Sequence, residues 1–321
     1  MKQRAFVLVV GAVAVMCASG CISVGPFVPD ELETVVVEKS PRWLEPNRVA
    51  IVDVGGVISS GQESPFAWGL TTVADVKEKL DRAAGDRHVR AVVLRINSPG
   101  GEVSASDALY RQVQGFRRET GKPVVACLMS MATSGAYYTA LGADRVVATP
   151  TNVTGSVGVI TRWLNVEGLF DKLGLSARVI KSGEKKDIGS PTRPMTPEER
   201  EILDEVTEQM FDRFLDTVRE NRPRMTEEDL EIISDGRIVT AQQALELKMV
   251  DRVGYLEDAL AEARRLAGIK EATIILYQAR PGYNANIYAQ RADRADLLAQ
   301  AAAQLLRWRD PAFLYLWCPG L

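Results

Sequence analysis

Ser134 stands where a strand-forming run, Val124 to Met129, gives way to small residues and a glycine: Ser130-Met131-Ala132-Thr133-Ser134-Gly135-Ala136-Tyr137-Tyr138. A hydroxyl at a strand-to-helix junction, followed by a free backbone N–H, can attack a carbonyl and have the resulting oxyanion held by the backbone. The same pattern is also that of a helix N-cap, and Ala132 departs from the G-x-S-x-G elbow. A second turn, Asn97-Ser98-Pro99-Gly100-Gly101, closes the strand Val89–Ile96 and precedes a helix. Its glycines free N–H groups to face a cleft and let another backbone approach closely. It lacks both the phosphate-loop Lys-Ser/Thr and the dinucleotide G-x-G-x-x-G. Read alone, Pro-Gly-Gly is a turn.

A serine nucleophile needs a base, and the composition narrows the choice. The 321 residues hold a single histidine, His88, in the polar turn Gly85-Asp86-Arg87-His88, away from the Gly-Gly end of the strand that follows. That leaves lysine, which serves as a base only when desolvation lowers its pKa from about 10.4 to near 7–8. The candidate segment is Lys181-Ser182-Gly183-Glu184-Lys185-Lys186-Asp187-Ile188, a run whose bland reading is a solvated surface loop. Cys17, Cys21, Cys127 and Cys318 have no metal-ligand spacing, and one histidine rules out a multi-His metal site. The balance of 39 Lys+Arg against 42 Asp+Glu, net −3, offers no basic excess for nucleic acid. No metal and no cofactor is implied.

The elements that must position these residues alternate. Val49–Val54, Val89–Ile96, Val124–Met129 and Asp144–Thr149 have strand character, with helical spacing over Val73–Leu80 and Ser106–Phe116. Such alternation argues an α/β fold with largely parallel pairing. Thr196 with Glu199 forms a capping box, Pro197 sits in the first turn and Pro223 lies beyond the end, so the spacing predicts a helix over 196–222. Its stripe of Ile202, Leu203, Val206, Met210, Phe211, Phe214 and Val218 is expected to pack in the core. Thr240–Met249 and Leu256–Ala267 read as helices and Thr273–Tyr277 as a strand.

The two ends differ from the body. Met1-Lys2-Gln3-Arg4 and the apolar run Ala5–Ala18 form a secretory leader ending Ala18-Ser19-Gly20-Cys21. The ending resembles the lipobox of bacterial lipoproteins, with Cys21 the acylated residue, although Ala18 stands where leucine is usual. The alternative is an uncleaved anchor, since Ala5–Val24 is just long enough to span a bilayer. Both put the body on the extracytoplasmic side, tethered to a membrane. Residues 22–46 read as the tether, with a short strand at Val35–Val37. Ala289–Trp308 is Ala-rich and amphipathic, and the apolar end Phe313–Trp317 should dock on its own core, a neighbouring subunit or lipid.

The segments RINSPGGEVSASD, SGAYYTALGAD, TNVTGSVGVI, KSGEKKDIGSPTRPMTPEE and SDGRIVTAQQALELKMVDRVG occur in that order. Together they resemble the signal peptide peptidase A family of bacterial serine proteases in its short, single-repeat form, over about residues 48–265. The resemblance implies a ClpP/crotonase-like spiral of β-β-α units and a Ser–Lys dyad. It puts the nucleophile on Ser134, the general base on Lys186 and the lysine-orienting role on Ser156. The oxyanion hole falls to the N–H groups of Gly101 and Gly135. Glu184-Lys185 and Lys248-Met249 depart from the family's usual residues without removing a catalytic group. The implied domain plan is a 1–21 leader, a 22–46 tether, a 47–268 peptidase domain and a 269–321 extension with a strand and an amphipathic helical tail. Implied partners are peptide substrates (signal peptides left after secretion), the membrane and further copies of the chain. In such a homo-oligomer serine and lysine can come from adjacent protomers, and the tail of one copy could enter a neighbour's cleft. Two rivals predict otherwise. A crotonase-type acyl-CoA enzyme would not need an exported leader, and a silent membrane scaffold would not keep the dyad.

Overall fold

Aliphatic runs that alternate between two buried faces build the centre of the molecule. The computed structural model describes residues 32–41, 46–60, 70–278 and 312–316. The chain enters through β1 (Glu33–Glu38), then β2 (Arg48–Gly55), β3 (Val57–Ser59), β4 (Leu70–Thr72) and helix α1 (Val73–Gly85). The next unit repeats the plan with β5 (Val89–Ser98), β6 (Gly100–Glu102) and α2 (Val103–Thr120). A third long strand, β7 (Val124–Thr133), runs into the short helix α3 (Gly135–Ala140), followed by β8 (Arg145–Ala148), β9 (Val153–Gly155) and β10 (Ile160–Arg162). Beyond lie α4 (Glu167–Leu173), α5 (Pro197–Asn221), α6 (Glu227–Ile233), β11 (Ile238–Thr240), α7 (Ala241–Glu246), β12 (Arg252–Val253) and α8 (Leu256–Leu266). The described chain closes with β13 (Thr273–Gln278) and β14 (Ala312–Leu316).

The main sheet runs β1-β13-β2-β5-β7-β8-β12, parallel throughout except at β1, with β9 extending the far end of β7 and β11 antiparallel to β9. Parallel strands are covered on both faces, which is why β5 reads as an almost unbroken apolar run. Val49, Ile51, Ala91, Val93, Val125 and Cys127 point to α8, while Ala50, Val52, Val92, Leu94, Ala126 and Leu128 join the larger core. This period of two places both faces of the sheet in dry packing. A second sheet, β10-β14-β6-β3-β4, crosses the carboxyl ends of the long strands. Each long strand therefore hands the chain to a short strand or turn and then to a helix. In parallel sheets the crevice beyond the strands' carboxyl ends is where ligands bind.

Several elements differ from the expectation. β1, within the stretch assigned to the tether, is the edge strand of the main sheet, because β13 inserts between it and β2. α5 carries the expected capping box of Thr196 and Glu199. Its apolar stripe is not all core, however. Phe214 and Val218 are buried, whereas Ile202 is exposed and Leu203, Val206 and Met210 are only half-buried, because the first turns of α5 run past the core. The tail residues 312–316 form a strand of this chain's own second sheet. The leader, Cys21 and the amphipathic stretch Ala289–Trp308 lie outside the described residues. Among the described residues no helix is long and apolar enough to cross a membrane.

Candidate active site

β7 pairs with β8 up to Leu128 and from Met131 switches to β9, so that Thr133 lies opposite Gly155. The switch exposes the strand's end to a turn at Ser134, whose backbone has φ 54° and ψ −118°. This is the first central position of a type II′ turn, a conformation dominated by glycine. The Ser134 N–H donates to the Gly155 carbonyl at 2.8 Å and its carbonyl accepts from Tyr138 N–H at 2.9 Å. Its hydroxyl does not cap α3. Backbone bonds thus hold the strained turn, and the Oγ is spent on no cap.

Two glycine segments close around this serine. A Cβ on Gly135 would fall 2.3 Å from Ser106 Oγ, and one on Gly100 would fall 2.9 Å from Gly135 N. A Cβ on Gly101 would fall 1.9 Å from the Ile58 carbonyl oxygen of β3. The turn bearing these glycines is strapped to β7: Met131 N–H donates to Asn97 Oδ1 at 3.2 Å and Thr133 Oγ1 to the Pro99 carbonyl at 3.1 Å. On the other side, Ser156 also has positive φ, 52°, and its N–H donates to the Arg237 carbonyl at 2.7 Å. Ser134, Gly101, Gly135 and Ser156 therefore gather at the carboxyl ends of β5, β7 and β9. Gly100, expected only as a turn residue, is part of the same wall.

Lys186 is not among them. It lies on the exposed turn after α4, and among the described residues its ammonium makes no hydrogen bond or ion pair. Its neighbours are fully engaged. Lys185 pairs with Glu198, which raises its pKa. Asp187 takes hydrogen bonds from Arg193 at 2.7 and 3.0 Å and from Lys181 at 2.6 Å. Arg193 also binds the buried Glu199 of the α5 capping box, at 2.5 and 2.8 Å. Arg193 holds the Asp187 carboxyl well below the usual carboxylate range and, with the Thr196 amide, brings Glu199 down to about 2. His88 sits beside Asp86 just before β5, so the strand's ten residues, roughly 30 Å, separate it from Gly100.

The pocket beside Ser134 could not be placed from residue spacing. Its walls are Tyr138 and Phe214, with ring centroids 5.0 Å apart and an edge-to-face tilt of 69°. Tyr138 is fixed by donating to Asp107 at 2.6 Å and accepting from Thr217 Oγ1 at 3.0 Å. Burial and the Asp107 carboxylate push its phenol pKa far up, so it stays a donor. The available signals were the Tyr137-Tyr138 pair behind the serine and an apolar tail in need of a docking place.

A serine on a strained strand-to-helix turn, beside two glycine segments at the mouth of a parallel sheet, is an arrangement suited to acyl transfer. The pattern of peptidase family S49 matches residues 117–270. A relative in Synechocystis sp. that carries a protease name is 38% identical over 222 residues, covering 69% of this chain and 75% of that one. One in Enterococcus faecium named for signal peptide peptidase SppA is 32% identical over 232 residues, covering 72% and 67%. Protease 4 of Salmonella typhi is 33% identical over 234 residues, 73% of this chain but 37% of that longer protein. The chain belongs to peptidase family S49, the SppA family of serine proteases.

Proposed function

We propose that the chain is a Ser–Lys endopeptidase that cuts unfolded apolar peptides, signal peptides left after secretion among them, while tethered to the outer side of a membrane through its leader. The observation that carries the reading is the Ser134 turn, whose strained backbone faces the glycine wall of Gly100, Gly101 and Gly135. Neutral Lys186 takes the Ser134 proton as Oγ attacks the peptide carbonyl, and the N–H groups of Gly101 and Gly135 hold the oxyanion. The lysine returns the proton to the leaving amine, and water repeats the cycle on the acyl-enzyme. Ser156 orients the ammonium.

A lysine works as a base only when buried, and Lys186 is exposed in the single chain. The missing cover is a second copy. Leu169, Leu173, Leu175 and Val179 around α4 are all more than half exposed, and they precede Lys186 on the same arm. An apolar surface of that kind calls for a partner, so the working form is a homo-oligomer in which the lysine arm of one copy reaches the serine of the next. Attachment is through acylated Cys21 or an uncleaved leader.

The test is covalent trapping by a serine-reactive fluorophosphonate. Labelling should vanish in Ser134→Ala, fall at least tenfold in Lys186→Ala and persist in Lys185→Ala. Co-assembled Ser134→Ala and Lys186→Ala chains should regain peptidase activity that neither has alone. Full labelling of Lys186→Ala would remove the dyad, and no regain on mixing would place serine and lysine in one chain.

A further inference from the structure

β7 carries two residues more than its neighbour β5 can pair. Ile96 of β5 lies opposite Leu128 and Ser98 opposite Ala132, so a two-residue step on β5 faces a four-residue step on β7. On the other flank Leu128 is the last residue paired with β8 and Met131 the first paired with β9. Met129 and Ser130 therefore form a bulge shortly before the Ser134 turn, with Ser130 exposed. Two residues of strand advance about 6.6 Å. The bulge takes up that length and leaves Ala132, rather than Ser130, level with Ser98.

A bulge gives up ladder bonds, and side chains from both neighbouring segments replace them. The Met131 N–H donates to Asn97 Oδ1 at 3.2 Å. The Met129 carbonyl accepts from Thr149 Oγ1 and from Asn152 Nδ2, both at 2.8 Å. Beyond the bulge, Thr154 Oγ1 donates to the Ala132 carbonyl at 2.6 Å. Asn152 and Thr154 are buried. Asn97 belongs to the turn that carries Gly100 and Gly101, and its bond crosses to the strand that carries Ser134. These two segments meet closely, since a Cβ on Gly100 would fall 2.9 Å from Gly135 N. Any slip of the bulge would move the serine relative to the glycine wall.

We infer that Asn97 and Asn152 are positioning residues of the reaction, pinning the β7 bulge from its two flanks and so setting the nucleophile against the oxyanion wall. The inference rests on reading Ser134 as the nucleophile. Both asparagines act through the backbone of β7 rather than on a peptide, so their loss should lower kcat and leave KM nearly unchanged. A displacement of about 1 Å at such a site costs on the order of 100-fold. The two work by opposite chemistry, because Asn97 supplies an acceptor and Asn152 a donor. An ionised carboxylate can replace the first and cannot replace the second.

The experiment uses the full-length chain carrying Asn97→Ala, Asn97→Asp, Asn152→Ala or Asn152→Asp. Peptide hydrolysis is measured at mildly alkaline pH, well below each variant's Tm, with circular dichroism confirming the fold. Asn97→Ala, Asn152→Ala and Asn152→Asp should each lose on the order of 10- to 100-fold in kcat, with KM within about twofold. Asn97→Asp should return to within about threefold of the original kcat. The alanine variants should keep the shape of the pH–rate profile, since no titrating group has been removed. Original kcat in either alanine variant, a loss confined to KM, or equal kcat in Asn97→Asp and Asn97→Ala would overturn the inference. Fluorophosphonate labelling of Ser134→Ala separates the two readings. Labelling that survives there would refute the nucleophile, and the positioning role would fall with it. Labelling abolished there, beside unchanged kcat in the asparagine variants, would refute the positioning and keep the nucleophile.

Discussion

Ser134→Gly should yield a dead protein that is more stable than both the original and Ser134→Ala. The argument starts from φ 54° and ψ −118° at a residue with a Cβ. Holding a non-glycine residue in such a region costs about 1–3 kcal/mol. Glycine removes that cost but raises the entropy lost on folding by about 0.5–1 kcal/mol. The net gain is about 1 kcal/mol, which for a domain of 150–250 residues raises Tm by about 2–4 °C. Ser134→Ala is the decisive comparison, because it removes the same hydroxyl and keeps the Cβ and its strain. Alanine should therefore melt within about 1 °C of the original, with glycine above both. The assay is thermal unfolding at fixed protein concentration, with peptide hydrolysis confirming that both variants are inactive. Coincident melting of the alanine and glycine forms would show that the turn stores no strain, and the account of why a serine is held there would fail.

Gly101→Ala sets a Cβ 1.9 Å from the backbone oxygen of Ile58, which cannot rotate away. It should cost about 1–3 kcal/mol or more and abolish hydrolysis. Gly85→Ala has nothing within 4 Å and should gain about 0.4–1 kcal/mol with activity intact; equal Tm changes in the two would refute the steric argument. The Lys186 turn should loosen in acid. Glu199 is lowered from 4.5 to about 2 and Asp187 further below its ordinary 3.8. Their tethering is therefore complete above about pH 4.5 and is lost as pH falls toward 2 and below. Hydrogen exchange of a peptide covering residues 181–196 should show protection fading over that window, and Arg193→Ala should remove the pH dependence. Protection factors unchanged from pH 6 to 2.5 would dismiss it.

What could be read before the structure was whatever is local. The long strands announce themselves because both faces are buried, so β5 and β7 are runs of aliphatic residues ended by Asn97 and by the small residues before Ser134. The α5 start was legible because Thr196 and Glu199 satisfy each other's backbone within one turn. The turns at Ser134 and at Gly100-Gly101 were legible for the same reason, since a strand-to-helix junction is a local event. The exposed half of the α5 stripe was not, because spacing shows that a face is apolar and not what covers it. The aromatic pocket was also hidden, since Tyr315 and the Met210 carbonyl it meets are 105 residues apart. The edge role of β1 was hidden too, because it depends on β13 arriving from the other end of the domain.

The position of β14 also limits what can enter the cleft. β6 pairs with β3 on its other side, and β10 bounds β14 opposite, so the slot admits one strand. Neighbouring strands lie about 4.8 Å apart, which leaves about 10 Å between β6 and β10. A hairpin or a helix of about 10–12 Å with its side chains does not fit without parting the second sheet. Any chain that displaces β14 must come in extended, with backbone groups free to bond on both edges. Main-chain pairing of this kind supplies affinity with little regard to sequence, so discrimination falls to the few side chains that point into the wall.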